Sequence, residues 1–379
     1  MSKKKKIKEQ QEVKITESKA SKIRNFFTTT LNGMAYGLFA TLIVGTIIKT
    51  ITEYVLSGEN EIIVSLNKIL INSSTFITIL TGAGIGAGVA LSLKFDPLKT
   101  IVLASVGQLA GYLSINIKNG IDFFYEGGAS AGDPLTIYLV VICVALLLKV
   151  ILKKKTPIDI LLVPLLGVSL GLIVCLLIRV PSIYVTYTIQ LVIDKATLIA
   201  PFIMGIIVAV VMGMALTAPI SSAAIASIVF TGTGEGLALA SGAAVIGCCT
   251  QMIGFAIQSR KDNNIGMIIS IGIGTSMLQF KNIIKKPIIW LPTIIASAIL
   301  GPISTVWLKL TCIAPNNAGM GTAGLVGVIG TFNSMGVNLS NFFIIMMMEI
   351  IAPGVLVFLI DLLFRKLKLI KDGDLKVNS

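Results

Sequence analysis

The strongest constraint on this chain is the recurrence of unbroken apolar stretches of about 17–25 residues, the length an α-helix needs to cross a bilayer. They lie near 31–52, 69–93, 98–116, 134–152 and 158–178, then near 198–217, 236–257, 288–309 and 341–364. Only 13% of the residues are charged, against about 25% in a soluble protein, so the chain cannot cover a water-facing surface of its size. With 55% hydrophobic residues, disorder is excluded over most of the length. The expected fold is an all-α polytopic membrane protein whose partner over most of its surface is the lipid bilayer.

Charge fixes the expected orientation. Residues 1–25 carry nine Lys/Arg and three Glu, and residues 365–379 carry five Lys/Arg and two Asp. Basic tails of this kind obey the positive-inside rule and place both termini in the cytoplasm; they are read as anchors, with no nucleic-acid partner. The connectors with Lys94, Asp96 and Lys99 and with Lys153, Lys154 and Lys155 read as cytoplasmic. The acid-rich ones, with Glu53, Glu59 and Glu61 and with Asp122, Glu126 and Asp133, read as outside. The organisation that follows has five parts: a basic cytoplasmic tail over 1–25, a five-helix membrane half over 26–179, an interfacial linker over 180–197, a second half over 198–364, and a basic tail over 365–379. Placing Arg260 and Lys261 inside requires 219–232 to cross as a short or broken helix. The total is about ten crossings. Six of the 31 Lys/Arg then fall outside: Lys49, Lys68, Lys118, Arg179, Lys195 and Lys309.

Two glycine-rich apolar pieces, 264–280 and 318–331, are too short or too interrupted to span. Non-helical backbone at membrane depth survives only where protein buries it or water reaches it, so both are expected to be re-entrant or broken segments. Five spans in each half would permit an inverted repeat, although no internal self-similarity beyond scattered Gly-rich pieces supports one.

The absence of histidine excludes a His-ligated metal, a His general base and a phosphohistidine. Five cysteines show neither metal spacing nor a disulfide framework. The adjacent Cys248 and Cys249 read as small packing residues. No nucleophile–base pair or Walker motif is visible, and neither a catalytic residue nor a cofactor is expected. Glycines in 82–92 and 167–171 read as helix-packing positions. Those in 317–327 are too dense for a stable helix and can present backbone groups to a polar solute. The expected cavity-lining set is Ser221, Ser222, Gln251, Thr275, Gln279, Asn317, Thr322 and Glu349. The first seven offer neutral hydrogen-bonding groups suited to hydroxyls, although each alone also serves as helix glue. Glu349 is a carboxylate well inside a span, which defaults to a functional role as hydroxyl acceptor or proton carrier.

Several of these residues lie in longer runs: Gly33–Ile47, Met212–Ala224 with Thr217-Ala218-Pro219-Ile220-Ser221-Ser222, Gly247–Ala256 with Cys248-Cys249-Thr250-Gln251, Gly274–Gln279, and Gly319–Gly327. Together they resemble the bacterial membrane proteins classed as phosphotransferase-system enzyme IIC, in the subgroup that includes the perfringolysin regulator-type proteins. The resemblance covers roughly residues 25–365. It implies a sugar permease, normally a homodimer, that binds its solute in the hairpin-rich half while a soluble partner phosphorylates the sugar. The tails are only about 25 and 15 residues long, so any phosphoryl donor is expected to be a separate protein. The leading expectation is a carrier for a small polar solute of the sugar class. A membrane sensor acting through a partner and an ion-coupled carrier built on Glu349 are the rivals.

Overall fold

The computed structural model describes residues 19–45, 48–49, 52, 60–115, 127–128, 131–152, 156–218, 222–230, 232–312 and 317–377. Expectations that fall on 1–18, on the connectors bearing Glu53, Glu59, Asp122 and Glu126, on Lys153–Lys155 and on Ser221 lie outside them. All regular structure among the described residues is helical.

The first half contains α1 (Lys19–Leu38, continued by a π turn Phe39–Ile43), α2 (Glu61–Ile79), α3 (Thr81–Ser92), α4 (Pro97–Tyr112) and α5 (Pro134–Ile151). The expected span 69–93 is in fact two helices that break at Leu80. Helix starts follow local chemistry: Asp96 accepts from the Lys99 amide at 3.1 Å and Asp133 from the Thr136 amide at 2.8 Å, satisfying amides that the first turn leaves unpaired. α1, α3 and α4 approach through glycine. A Cβ on Gly37 would stand 2.2 Å from the Gly84 carbonyl, and one on Gly86 would stand 2.1 Å from that of Leu103. Backbones this close allow no side chain between them.

Next comes α6, Asp159–Ile199, a single helix of 41 residues. The separate interfacial piece expected over 180–197 is therefore not a distinct element; it continues α6 through Pro181. At about 1.5 Å per residue, α6 is roughly twice as long as the ~30 Å hydrocarbon core. Its far part grips the second half: Gln190 Nε2 donates to the Ile228 carbonyl at 3.1 Å, and Asp194 Oδ1 accepts from the Leu237 amide at 3.0 Å.

The second half comprises α7 (Pro201–Thr217), α8 (Ser222–Val229), α9 (Glu235–Gln258), α10 (Ile265–Ile269), α11 (Phe280–Lys285), α12 (Leu291–Pro302), α13 (Val326–Met335), α14 (Leu339–Met346) and α15 (Ala352–Lys366), with a π turn Met347–Ile351 joining the last two. α9 is the axle: 89% of its most apolar 18 residues are buried inside the protein, against 6% for α2. α7 lies against it with the Gly247 Cβ position only 1.9 Å from the Ala209 carbonyl oxygen.

Six helical stretches among the described residues are long and apolar enough to cross a membrane: Glu61–Ile79, Pro134–Ile151, Asp159–Ile199, Glu235–Lys261, Pro287–Trp307 and Leu339–Lys366. Counting the bent pair Ile265–Gly274 and Ser276–Lys285 as one span gives seven. The expected count of ten drew on α4, α7 and α8, which have 16, 17 and 8 residues, and on 31–52, which is only partly described.

Candidate functional site

Both segments expected to be broken are broken, and they approach each other from opposite ends of α9. The first leaves the C-terminal end of α9, which we term the tail end. It runs up α10, bends by 119° after Gly274 and returns through α11. Its path can be followed along α9. A Cβ on Gly272 would lie 3.2 Å from Ala256 Cβ, and Ser276 Oγ lies 2.9 Å from Thr217 Oγ1, which donates to Gln251 Oε1 at 3.2 Å. Gln279 Nε2 then donates back to Ser259 Oγ at 2.8 Å.

The second segment comes from the far end. There Ser241 Oγ donates to the Cys312 carbonyl at 2.5 Å. Ser222 Oγ donates to the Gly319 carbonyl at 2.6 Å, and Gly321 presses on the backbone of Cys248 and Cys249. The chain returns through α13, whose Ser334 hydroxyl lies 2.5 Å from that of Thr311. The turn is made with left-handed backbone at Gly321 (φ 54), Gly324 (φ 54) and Leu325 (φ 60). A Cβ at Gly321 would also stand 2.6 Å from the Cys248 carbonyl carbon, so both conformation and space require glycine there. The two tips meet where Thr322 Oγ1 donates to the Gly272 carbonyl at 2.5 Å.

Polar side chains collect around this meeting point. Gln251 is fully buried, and its Oε1 accepts from Trp290 Nε1 at 2.9 Å, Thr293 Oγ1 at 3.0 Å and Thr217 Oγ1. Its Nε2 is buried without a hydrogen-bond partner. Glu349 sits in the π turn between α14 and α15, fully buried. Its Oε1 accepts from Thr331 Oγ1 at 2.6 Å, and its Oε2 is buried without a hydrogen-bond partner. A buried amide and a buried carboxylate that each keep one free atom have hydrogen-bonding capacity to spare for a polar guest or a proton.

The structure divides the expected site residues. Ser222, Gln251, Asn317, Thr322 and Glu349 are buried on or beside the two tips. Thr275 stands at the bend, half-buried, and accepts from the Met277 amide at 3.2 Å. Gln279 is at the base of the tail-end segment, where its amide nitrogen holds Ser259 and the Leu375 carbonyl, so it fastens the base. Ser221 lies outside the described residues. Missing from the expected set are Thr217, Ser276, Trp290 and Thr293, which surround Gln251. No local signal marks them, because the contact between Thr217 and Ser276 joins residues 59 positions apart. Among the described residues no group of His, Cys, Asp or Glu has the arrangement to hold a metal ion.

Long apolar helices around two opposed, interrupted segments define a polytopic membrane protein of the transporter-component class. More particularly, residues 28–377 match the family model described as Phosphotransferase system, EIIC, and the chain belongs to that family. No curated protein and no solved structure matches it.

Proposed function

We propose that the protein is the membrane permease component of a sugar phosphotransferase system, carrying a small hydroxylated solute between the two interrupted segments by alternating access. The observation that carries this reading is the meeting of the tips through Thr322 and the Gly272 carbonyl, beside the buried polar groups of Gln251 and Glu349. Irregular backbone at mid-depth with spare donors and acceptors is how transporters hold polar solutes. Groups that are mostly neutral suit sugar hydroxyls rather than an ion. With no histidine, the chain cannot carry a phosphohistidine, and in this reading the phosphoryl group comes from a separate soluble protein. Both termini are cytoplasmic in this reading, and about ten crossings include the shorter helices α4, α7 and α8.

The test is flux of a labelled sugar and polyol panel into liposomes. Thr322→Ser retains uptake, whereas Thr322→Val lowers it at least ~10-fold, the equivalent of one buried hydrogen bond of about 1.4 kcal/mol. No uptake of any panel member by correctly folded wild-type protein sinks the reading. Glu349 favours a second version in which a proton moves with the solute, because its Oε2 is unpaired. Glu349→Gln then abolishes the pH dependence of uptake, and unchanged pH dependence removes Glu349 from that role.

The same reading includes a homodimer, and α2 is the surface we assign to it. Ser65, Lys68, Asn72 and Thr75 are all exposed and spaced by three, four and three residues, forming one polar stripe along a spanning helix. Lipid cannot satisfy the amide of Asn72. A second copy can, because the amide of Asn72 both donates and accepts and the spacing matches a left-handed helix pair.

A further inference from the structure

The C-terminal segment does not leave the molecule. After α15 the backbone turns at Lys368 (φ 58) and again at Gly373 (φ 93). Ile370 and Leu375 are then buried in one apolar cluster with Phe255 of α9, Ile271 and Ile283 of the tail-end hairpin, and Ile289 beyond it. Its root is anchored firmly. Asp361, fully buried, pairs with Arg260 Nη1 at 2.6 Å and Arg365 Nε at 2.9 Å, and Arg365 Nη1 reaches Asp372 at 2.7 Å.

Beyond the root the segment straddles two bodies. On the side of α9, the Asp262 carboxylate accepts from the Gly373 and Leu375 amides at 2.8 and 3.0 Å. Asn263 there donates to the Leu375 carbonyl at 2.8 Å and accepts from the Val377 amide at 2.9 Å. On the hairpin's return arm, Gln279 Nε2 donates to the same Leu375 carbonyl at 2.8 Å. Asn282 Nδ2 donates to the Lys376 carbonyl at 3.1 Å, and Lys286 Nζ pairs with Asp374 at 2.5 Å. The hairpin cannot swing away from α9 without breaking one of these two sets.

We propose that residues 367–377 are a built-in latch on the tail-end hairpin, which must undock before the hairpin moves. The proposal rests on the carrier reading for its purpose. The contacts have the chemistry of a reversible strap. Only Ile370 and Leu375 are fully inserted, with Val377 packed partly buried beside them; the rest is hydrogen bonding and the ion pairs of Asp372 and Asp374 at the water-facing end, where each bond exchanges for one to water at small net cost. The buried arginine–aspartate root keeps the released strap tethered, so redocking stays intramolecular and fast.

Hydrogen exchange on the full-length protein tests the latch directly. In Lys286→Ala/Asn263→Ala, and in a chain ended after Lys371, amides of 265–285 exchange about tenfold faster while those of 236–258 keep their protection, the pattern of a local opening. Unchanged exchange in 265–285, or an equal rise throughout the helices, overturns the proposal. A second experiment replaces the five native cysteines by alanine and introduces Asn263→Cys with Val377→Cys. Oxidation then ties the strap down, and solute uptake in liposomes falls at least tenfold and returns on reduction. Equal uptake in the two redox forms overturns the latch. Absence of uptake in both forms counts against the carrier reading instead, and the exchange result decides the latch alone.

Discussion

At the scale of single residues, the site depends on atoms that accept more than one partner. Gln251 Oε1 serves Trp290, Thr293 and Thr217 at once. Gln251→Leu leaves an indole N–H and two hydroxyls without that acceptor in the interior of the helix bundle. Allowing about 1–3 kcal/mol for an unsatisfied buried group, and less for hydroxyls that rebond to helix carbonyls, the loss is about 2–4 kcal/mol. A melting curve in detergent measures it, and Gln251→Glu, which keeps an acceptor oxygen in the place of Oε1, loses less. Gln251 and Glu349 could be picked from the sequence because an amide or an acid inside a span is rare and costly. Thr217 and Ser276 could not be, because a hydroxyl inside a helix bonds its own backbone as readily as a distant group. In contrast, Gln279 looked the same in sequence as Gln251 and turned out to fasten the hairpin base.

At the scale of elements, glycine decides which helices touch. Gly247→Ala would drive a methyl against the Ala209 carbonyl, 1.9 Å from its oxygen, whereas Gly274→Ala meets nothing within 4 Å. The first substitution separates α7 from α9 and costs more than ~2 kcal/mol; the second leaves stability within about 0.5 kcal/mol of wild type. Thermal unfolding of the two variants side by side checks the contrast. α2 carries a separate expectation. Asn72→Leu removes the central amide of its stripe, so the dimer fraction in detergent or in bilayers falls while the monomer keeps its melting temperature. A dimer fraction equal to wild type assigns the two-fold contact elsewhere. The glycine-rich pieces were legible as broken segments because they are too short or too interrupted to span; glycine density alone is no mark of a break, since α3 carries Gly82, Gly84, Gly86 and Gly88 and stays one helix. The fusion of 180–197 into α6 was not legible. Gln190, Asp194 and Lys195 look like an interruption in sequence, but in the fold Gln190 and Asp194 are bound to the backbone of the second half.

At the scale of the whole molecule, the described basic groups of the second half, Lys309 excepted, gather at the tail end, where the C-terminal segment docks. Burial alone would raise the Asp374 carboxyl, but the hydrogen bonds and charge of Lys286, with the Lys371 amide, hold it below its ordinary 3.8. A group depressed in the folded state contributes stability above its unfolded value and loses it as pH falls through the folded one. Docking of the segment is therefore insensitive to Asp374 from neutrality down to about pH 5 and weakens only below about pH 4. Anisotropy of a fluorophore placed at position 377 follows this, and a transition between pH 6 and 8 contradicts it. The sequence by itself determined the solvent, the helical class, the family resemblance and the existence of two interrupted segments. Each of these depends on local sequence: apolar length, charge density, the short interrupted glycine-rich pieces, and the residue runs that carry the resemblance. Only the tertiary structure decided that the interrupted segments enter from opposite ends and meet at Thr322 and Gly272, that a hydroxyl cluster encloses Gln251, and that the last residues return to clasp the hairpin. Those contacts join positions 34 to 114 residues apart, and pairing over such distances is set by how whole helices pack, which no local pattern encodes.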